Sequence, residues 1–308
     1  MILTVCLSPS IDVTVEVDAL EVGKTNVVKR KRFRAGGKAL NVALGVSRLG
    51  GDVVTTGFMY NESKSMFEEL LQKGNVKYSF VPTDGRVREN YKFIDHRSML
   101  TEVNDVGAEV PSAKLKELLI RVSELSAQSK VTVISGGLPR GVDSRYYAEL
   151  FHAVSPKSLR IADATDGKLE AALSAGVDMV KPNLDELQNC IGRVLTDRDD
   201  MLDACRELIS RGAKIVLLSL GKQGAIVTDG KESYYCRSTS VAVNSTVGAG
   251  DAMVAAAAMK LSQGASLPEI LRAGTAAGTA AVTTFEELAF PREKYLEIYE
   301  GLQVTRIS

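Results

Sequence analysis

Hydrophobic and polar positions follow two different periods along this chain, and the change of period marks its organisation. From about residue 130 onward, apolar runs of strand length occur at 131–135, 159–163, 179–181, 215–220 and 225–228. Between or after them, apolar residues recur at helical spacing in 144–154, 169–175, 199–211 and 267–281. Apolar strands mostly followed by helices predict an α/β fold, a three-layer α/β/α arrangement around a mostly parallel sheet. Such sheets bind ligands beyond the carboxyl ends of their strands, where loops meet helix N-termini. Earlier in the chain the rhythm breaks. Residues 11–17, 26–34, 90–96 and 99–104 read as strands, and three of the four have no helical pattern after them. Strands without crossover helices pair antiparallel. These segments therefore predict a small antiparallel sheet beside the main layer, with one apolar face to hide, for example against a second subunit.

Composition narrows the function classes. The 308 residues allow one large domain or two ordinary ones. Lys+Arg and Asp+Glu are equal at 38 each, and a chain without a basic excess is not a general nucleic-acid binder. No apolar run nears the roughly 20 residues of a membrane span. The N-terminal segment lacks a basic start and a long apolar stretch, so it reads as a first strand and not a signal peptide. A soluble cytoplasmic protein is expected. Cys6, Cys190, Cys205 and Cys236 are scattered without a CxxC pair, which predicts reduced thiols. His96 and His152 lack metal-ligand spacing. Chemistry is then expected from carboxylates, lysines, glycine loops or a bound ion.

The segments that could carry it each have a plainer alternative. Residues 245–251, Ser-Thr-Val-Gly-Ala-Gly-Asp, run into an apolar helix at 252–261. Glycines there let the backbone turn so that unpaired N–H groups of the helix start face an anion. Asp251 beside that anion is a candidate base for a hydroxyl proton, or simply an N-cap. Gly36-Gly37-Lys38 with Asn41 precedes a helical pattern at 42–49. It is either a cradle for a polyhydroxy ligand or a strand-to-helix turn. In 181–186, Asn183 and Glu186 stand three apart after an apolar strand. That spacing suits a hydrated magnesium ion, and equally a capped helix start. Asp163, at a strand end, is either a loop carboxylate or a site residue. The segment 22–25 imitates a Walker loop, but Asp18 stands where its first glycine belongs and a strand follows. The basic run 29–34 reads as a solvated strand edge that discourages pairing.

Taken in order, these segments resemble the PfkB-type sugar kinases of the ribokinase-like fold, over essentially the whole chain. The marks are 7–12 (Leu-Ser-Pro-Ser-Ile-Asp), Gly36-Gly37-Lys38 with Asn41, 88–92 (Arg-Glu-Asn-Tyr-Lys), 135–141, 181–186, 219–225 and 246–251. The similarity is greatest to the phosphosugar branch, which contains 1-phosphofructokinase and tagatose-6-phosphate kinase. The resemblance implies transfer of a phosphoryl group from ATP to a sugar hydroxyl with Mg2+, and in relatives a monovalent cation such as K+. Asp251 would be the base, and the N–H groups of Gly248, Ala249 and Gly250 the anion hole. Asp12, Gly36, Gly37 and Asn41 match sugar-binding positions, while Lys38, Arg88 and Lys92 match those around the phosphate already on the sugar. Asn183 and Glu186 match the magnesium- and phosphate-ordering pair, with Lys181 nearby; Ser219, Gly221 and Gly224 match the nucleotide-binding strand and turn. The main α/β domain would comprise 1–10, 36–87 and 106–308, the last with the nucleotide site. A β-lid of 11–35 and 88–105 would close over the sugar and form a homodimer. The implied partners are a sugar phosphate and ATP, with no nucleic acid and no membrane. The implied reaction is fructose 1-phosphate to fructose 1,6-bisphosphate, with tagatose 6-phosphate the alternative acceptor and a non-catalytic sugar-phosphate sensor the reading of another class. Four departures bear on the acceptor: Val27 replaces a usual arginine, Gly137 a serine, Ala39 a glycine, and Tyr60-Asn61 a Gly-Gly pair.

Overall fold

Strands that are apolar along their whole length have no face to offer water, and they lie at the middle of a covered sheet. The computed structural model describes residues 1–97, 99–284 and 289–308; Ser98 of the lid segment and 285–288 of the last main segment lie outside them. The chain opens with β1 (Ile2–Cys6), β2 (Ser10–Val17), β3 (Val28–Gly36) and α1 (Lys38–Arg48). Then come β4 (Val53–Tyr60), α2 (Lys64–Lys73), β5 (Lys77–Tyr78), β6 (Val81–Thr83), β7 (Arg88–Ile94) and β8 (Leu100–Asn104). The alternating part follows with α3 (Ser112–Ser126), β9 (Val131–Ser135), α4 (Arg145–Ala153), β10 (Leu159–Asp163), α5 (Gly167–Ala175) and β11 (Val177–Val180). It continues through α6 (Leu184–Ile191), α7 (Arg198–Ser210), β12 (Ala213–Ser219), β13 (Ala225–Thr228) and β14 (Ser233–Cys236). The chain ends with α8 (Ala249–Ser262), α9 (Leu267–Ala281), α10 (Arg292–Gly301) and β15 (Val304–Arg306).

Among the described residues the main sheet runs β15-β14-β13-β12-β11-β10-β9-β1-β4-β5, with β6 also on β4. Pairing is parallel from β12 to β5 and antiparallel from β12 through β15. β1 and β9, buried throughout, sit side by side within its parallel part. This is the expected α/β fold with a mostly parallel sheet. The four cysteines are free thiols, and no helix among the described residues is long and apolar enough to cross a membrane.

The small second sheet has the order β3-β2-β7-β8. Its outer pairs, β2–β3 and β7–β8, are antiparallel as expected; the central pair β2–β7 is parallel. That junction joins segments far apart in the chain, so no local pattern announces it. Alternation along β2 buries Val13, Val15 and Val17 and turns Asp12, Thr14 and Glu16 to the opposite face. The basic run forms the edge strand β3, where Arg32 pairs with Glu16 at 3.0 Å and Lys29 pairs with Asp18.

Candidate active site

Gly248 caps α8 at φ +82°, a left-handed conformation that glycine adopts without strain. The helix starts at Ala249, three residues earlier than the apolar pattern indicates, because the glycines hide its first turn. Asp251 is therefore inside the helix and does not cap it; its carboxylate is buried and accepts a hydrogen bond from Asn41 Nδ2 at 2.7 Å. Asn41 lies one turn into α1, which begins at Lys38. Its position depends on Gly37 at φ +144°, where a Cβ would stand 3.0 Å from Cys6 Sγ and 3.3 Å from the Pro9 backbone. Close chain crossing thus explains the glycine, and it presses the start of α1 onto the end of β1.

Burial pushes the Asp251 carboxyl up to about 6, helped by the negative charge of Asp163; Asn41, Lys38 and Lys181 pull it the other way. Asp163, left open as a loop carboxylate by sequence, ends β10 and is 1% exposed. Its Oδ2 accepts from Ser135 Oγ at 2.8 Å and lies 3.5 Å from Lys38 Nζ, while Oδ1 lies 3.2 Å from Lys181 Nζ. Lys181 is thus the ion-pair partner of Oδ1, while Ser135 and Lys38 stand at Oδ2. Burial works to raise the Asp163 carboxyl, but Lys181, Lys38 and the Ser135 hydroxyl together hold it below the usual carboxylate range. A Cβ on Gly250 would approach Lys181 Nζ to 3.3 Å, which puts that ammonium against the start of α8.

On the accessory sheet, Asp12 accepts from Asn90 Nδ2 and Lys92 Nζ, both at 3.2 Å. Arg88 donates to Asn90 Oδ1 at 3.2 Å and to the Ser8 carbonyl at 3.4 Å, and its buried Nε–H has no partner among the described residues. Gly36 is buried at the end of β3, beside the Gly37 turn.

Asn183 caps α6 in a reciprocal arrangement: its Oδ1 accepts from Glu186 N at 2.8 Å, and Glu186 Oε2 accepts from Asn183 N at 2.9 Å. The capping alternative is thus real, and it leaves the other Glu186 oxygen uncommitted. Asn183, Ser219, Gly221, Gly224, Thr246 and Gly250 line one cavity of about 1340 Å³. A Cβ on Gly224 would collide with the Cys236 carbonyl at 2.0 Å. Arg198, stacked 4.6 Å from the centre of the Tyr235 ring, walls the same cavity and went unnoticed in the sequence. Neither residue belongs to a glycine or carboxylate motif, so no local signal marks it. Val27 is exposed, Lys24 is paired with Glu21, and a Cβ on Gly137 would meet open space.

The model of the pfkB family carbohydrate kinases matches residues 3–290. The chain belongs to that family. 1-Phosphofructokinase of Rhodobacter capsulatus is 34% identical over 284 residues, 91% of this chain and 90% of the relative. Tagatose-6-phosphate kinase of Staphylococcus epidermidis is 28% identical over 311 residues, covering 100% of both. Structures of phosphofructokinase-2 from Escherichia coli cover 97% of this chain and 98% of theirs. Its tetrameric inhibited form has a TM-score of 0.89 at 31% identity, its potassium complex 0.87 at 30%, and its fructose-6-phosphate complex 0.85 at 28%. This pfkB-family kinase is accordingly a phosphotransferase with an alcohol group as acceptor.

Proposed function

We propose that the protein transfers the γ-phosphoryl group of ATP to fructose 1-phosphate, giving fructose 1,6-bisphosphate, in the cytoplasm. The observation that carries the reading is the buried Asp251 carboxylate, bonded to Asn41 and raised to about 6, in the first turn of a helix whose start has no side-chain cap. A base poised near neutrality takes the sugar hydroxyl proton as the oxygen attacks phosphorus. The new O–P bond forms while the bond to the bridging oxygen breaks, and its electron pair leaves with ADP. Backbone N–H groups of Gly248, Ala249 and Gly250 face the charge that develops on the phosphoryl oxygens. Gly36, Gly37, Asp12 and Asn41 hold the sugar. Arg88, with its unpartnered Nε–H, takes the acceptor's own phosphate together with Lys38 and Lys92. Asn183, Ser219, Gly221 and Gly224, with Lys181, hold the nucleotide.

Glu186, with one oxygen uncommitted among the described residues, is a donor that suits magnesium, and the Asp163 carboxylate stands beside Lys181 as a second acidic group at the centre. Glu186 would hold the ion through its waters, and the ion would neutralise charge on the triphosphate. The lid, 11–35 and 88–105, closes over the sugar and keeps water from the phosphoryl group. It also pairs two subunits: Phe33, Val13, Tyr91 and Val103 form one apolar row across its four strands, with Phe33 and Val103 half exposed. Tagatose 6-phosphate is the second reading, favoured by the full-length match to a tagatose-6-phosphate kinase.

An ADP-release assay with magnesium-ATP and, in turn, fructose 1-phosphate, tagatose 6-phosphate, fructose 6-phosphate and fructose tests this. The highest kcat/KM is expected for fructose 1-phosphate, with fructose inert. A preference for fructose contradicts the phosphate-reading role of Arg88 and Lys38. Tight phosphosugar binding without any turnover would identify a sensor.

A further inference from the structure

Four side chains at the catalytic centre cancel in formal charge: Lys38 and Lys181 against Asp163 and Asp251. Phosphoryl transfer brings further negative charge to that centre, and a side-chain cation not already committed to a carboxylate would add to what magnesium and the helix start supply. The strand register of the lid supplies one. Arg34, Asp12, Asn90 and Asn104 lie in one row across β3, β2, β7 and β8, on the face opposite the apolar row. Asp12 is directly across from Arg34, yet its two oxygens are taken by Asn90 and Lys92. The Arg34 guanidinium makes no ion pair or side-chain hydrogen bond among the described residues. It walls a small cavity of about 20 Å³ together with Asn41, Ser245, Val247 and Gly248. A guanidinium with no carboxylate partner among the described residues thus borders the same cavity as Asn41, which holds the base, and the turn that starts α8. The next residues, Ala35 and Gly36, are buried, so the backbone beneath Arg34 is anchored.

We propose that Arg34 is a catalytic arginine carried by the lid, whose guanidinium binds the phosphoryl group in transit between nucleotide and sugar. The inference rests on the kinase reading above and assigns it one further residue. A planar guanidinium can meet two phosphoryl oxygens at once, which a lysine ammonium cannot. Charge of this kind is worth most where it forms, in the transition state.

The test compares wild type with Arg34→Ala, Arg34→Lys and, as a control two positions along the same strand face, Arg30→Ala. With fructose 1-phosphate and magnesium-ATP, Arg34→Ala is expected to lose about a thousandfold in kcat. Both KM values should stay within about threefold, since the contact is made in the transition state. Arg34→Lys should recover little, Arg30→Ala should match wild type, and added guanidinium ion should restore part of the Arg34→Ala rate. Calorimetric affinity for fructose 1-phosphate should be unchanged in Arg34→Ala. Wild-type turnover in Arg34→Ala would overturn the inference alone. So would a raised KM and weakened calorimetric binding for fructose 1-phosphate with kcat retained, which would assign Arg34 to the acceptor's own phosphate. A wild-type enzyme silent on all four acceptors would overturn the kinase reading and this inference with it.

Discussion

Asp251 sits in the first turn of α8 with its carboxylate shielded from water, and opposing influences act on it. Burial and Asp163 favour the protonated form, whereas Asn41, Lys38 and Lys181 favour the anion, leaving the group at about 6. Turnover should therefore fall as pH drops through about 6, and a kcat–pH profile reads it directly. Asn41→Ala removes an influence that favours the anion, so its acid limb should move to higher pH; an unmoved limb would separate the limb from Asp251. Asp251→Asn should cost about 10²–10⁴ in kcat while nucleotide affinity by calorimetry stays near wild type. The same substitution should stabilise the fold at pH 8. The folded carboxyl at about 6 binds its proton more tightly than an unfolded one at 3.8, so ionised Asp251 destabilises the fold above that window. The gain should shrink as pH falls toward 4 and is read from melting temperatures. As the proposed base, such a residue would trade stability for reactivity.

Helix starts carry the functional groups of this site, and they differ in what they do for the fold. Asn183 and Glu186 satisfy the first turn of α6, and Asn183 lines the large cavity proposed for the nucleotide. Far from it, Glu269 accepts from Ser266 N–H and Oγ at the start of α9. Asn183→Ala should lower stability by about 1 kcal/mol and also raise the KM for ATP, whereas Ser266→Ala should lower the melting temperature with kinetics unchanged. Equal kinetics in the two variants would reduce Asn183 to a cap. The elements themselves were largely legible in the sequence, because fully apolar strands and periodic helices announce themselves. Their first turns were not. Gly37, Lys38, Gly248 and Gly250 lack the apolar period, so α1 and α8 start earlier than their patterns, which is why an N-cap stood beside a base as a reading of Asp251. The role of β3 was legible only in part. Its charges mark an edge strand, but which of them face the site is decided by the register with β2, a tertiary fact. Asp163 shows the same limit, since a strand-end carboxylate gains meaning only when Lys38 and Lys181, from other elements, arrive beside it.

At the scale of the molecule, the two sheets divide the work. In the proposed reaction the main sheet would present the nucleotide cavity and Asp251, and the lid would present Asp12, Arg88 and Lys92 to the acceptor. One face of the lid looks to the site; the other carries Phe33 and Val103, 53% and 56% exposed, at either end of an apolar row. Covering that row with a second copy would fix the lid over the acceptor. Phe33→Asp combined with Val103→Asp should shift the protein to monomers in sedimentation velocity and raise the KM for the phosphosugar. A monomeric wild type with full affinity would remove the second subunit from the account. The central claim, transfer of a phosphoryl group from ATP to fructose 1-phosphate, is tested most directly by 31P NMR of one reaction mixture with magnesium-ATP. The predicted result is loss of the γ-phosphate signal together with two phosphomonoester signals from one sugar, those of fructose 1,6-bisphosphate, in step with ADP. ADP with inorganic phosphate and unchanged fructose 1-phosphate would contradict it.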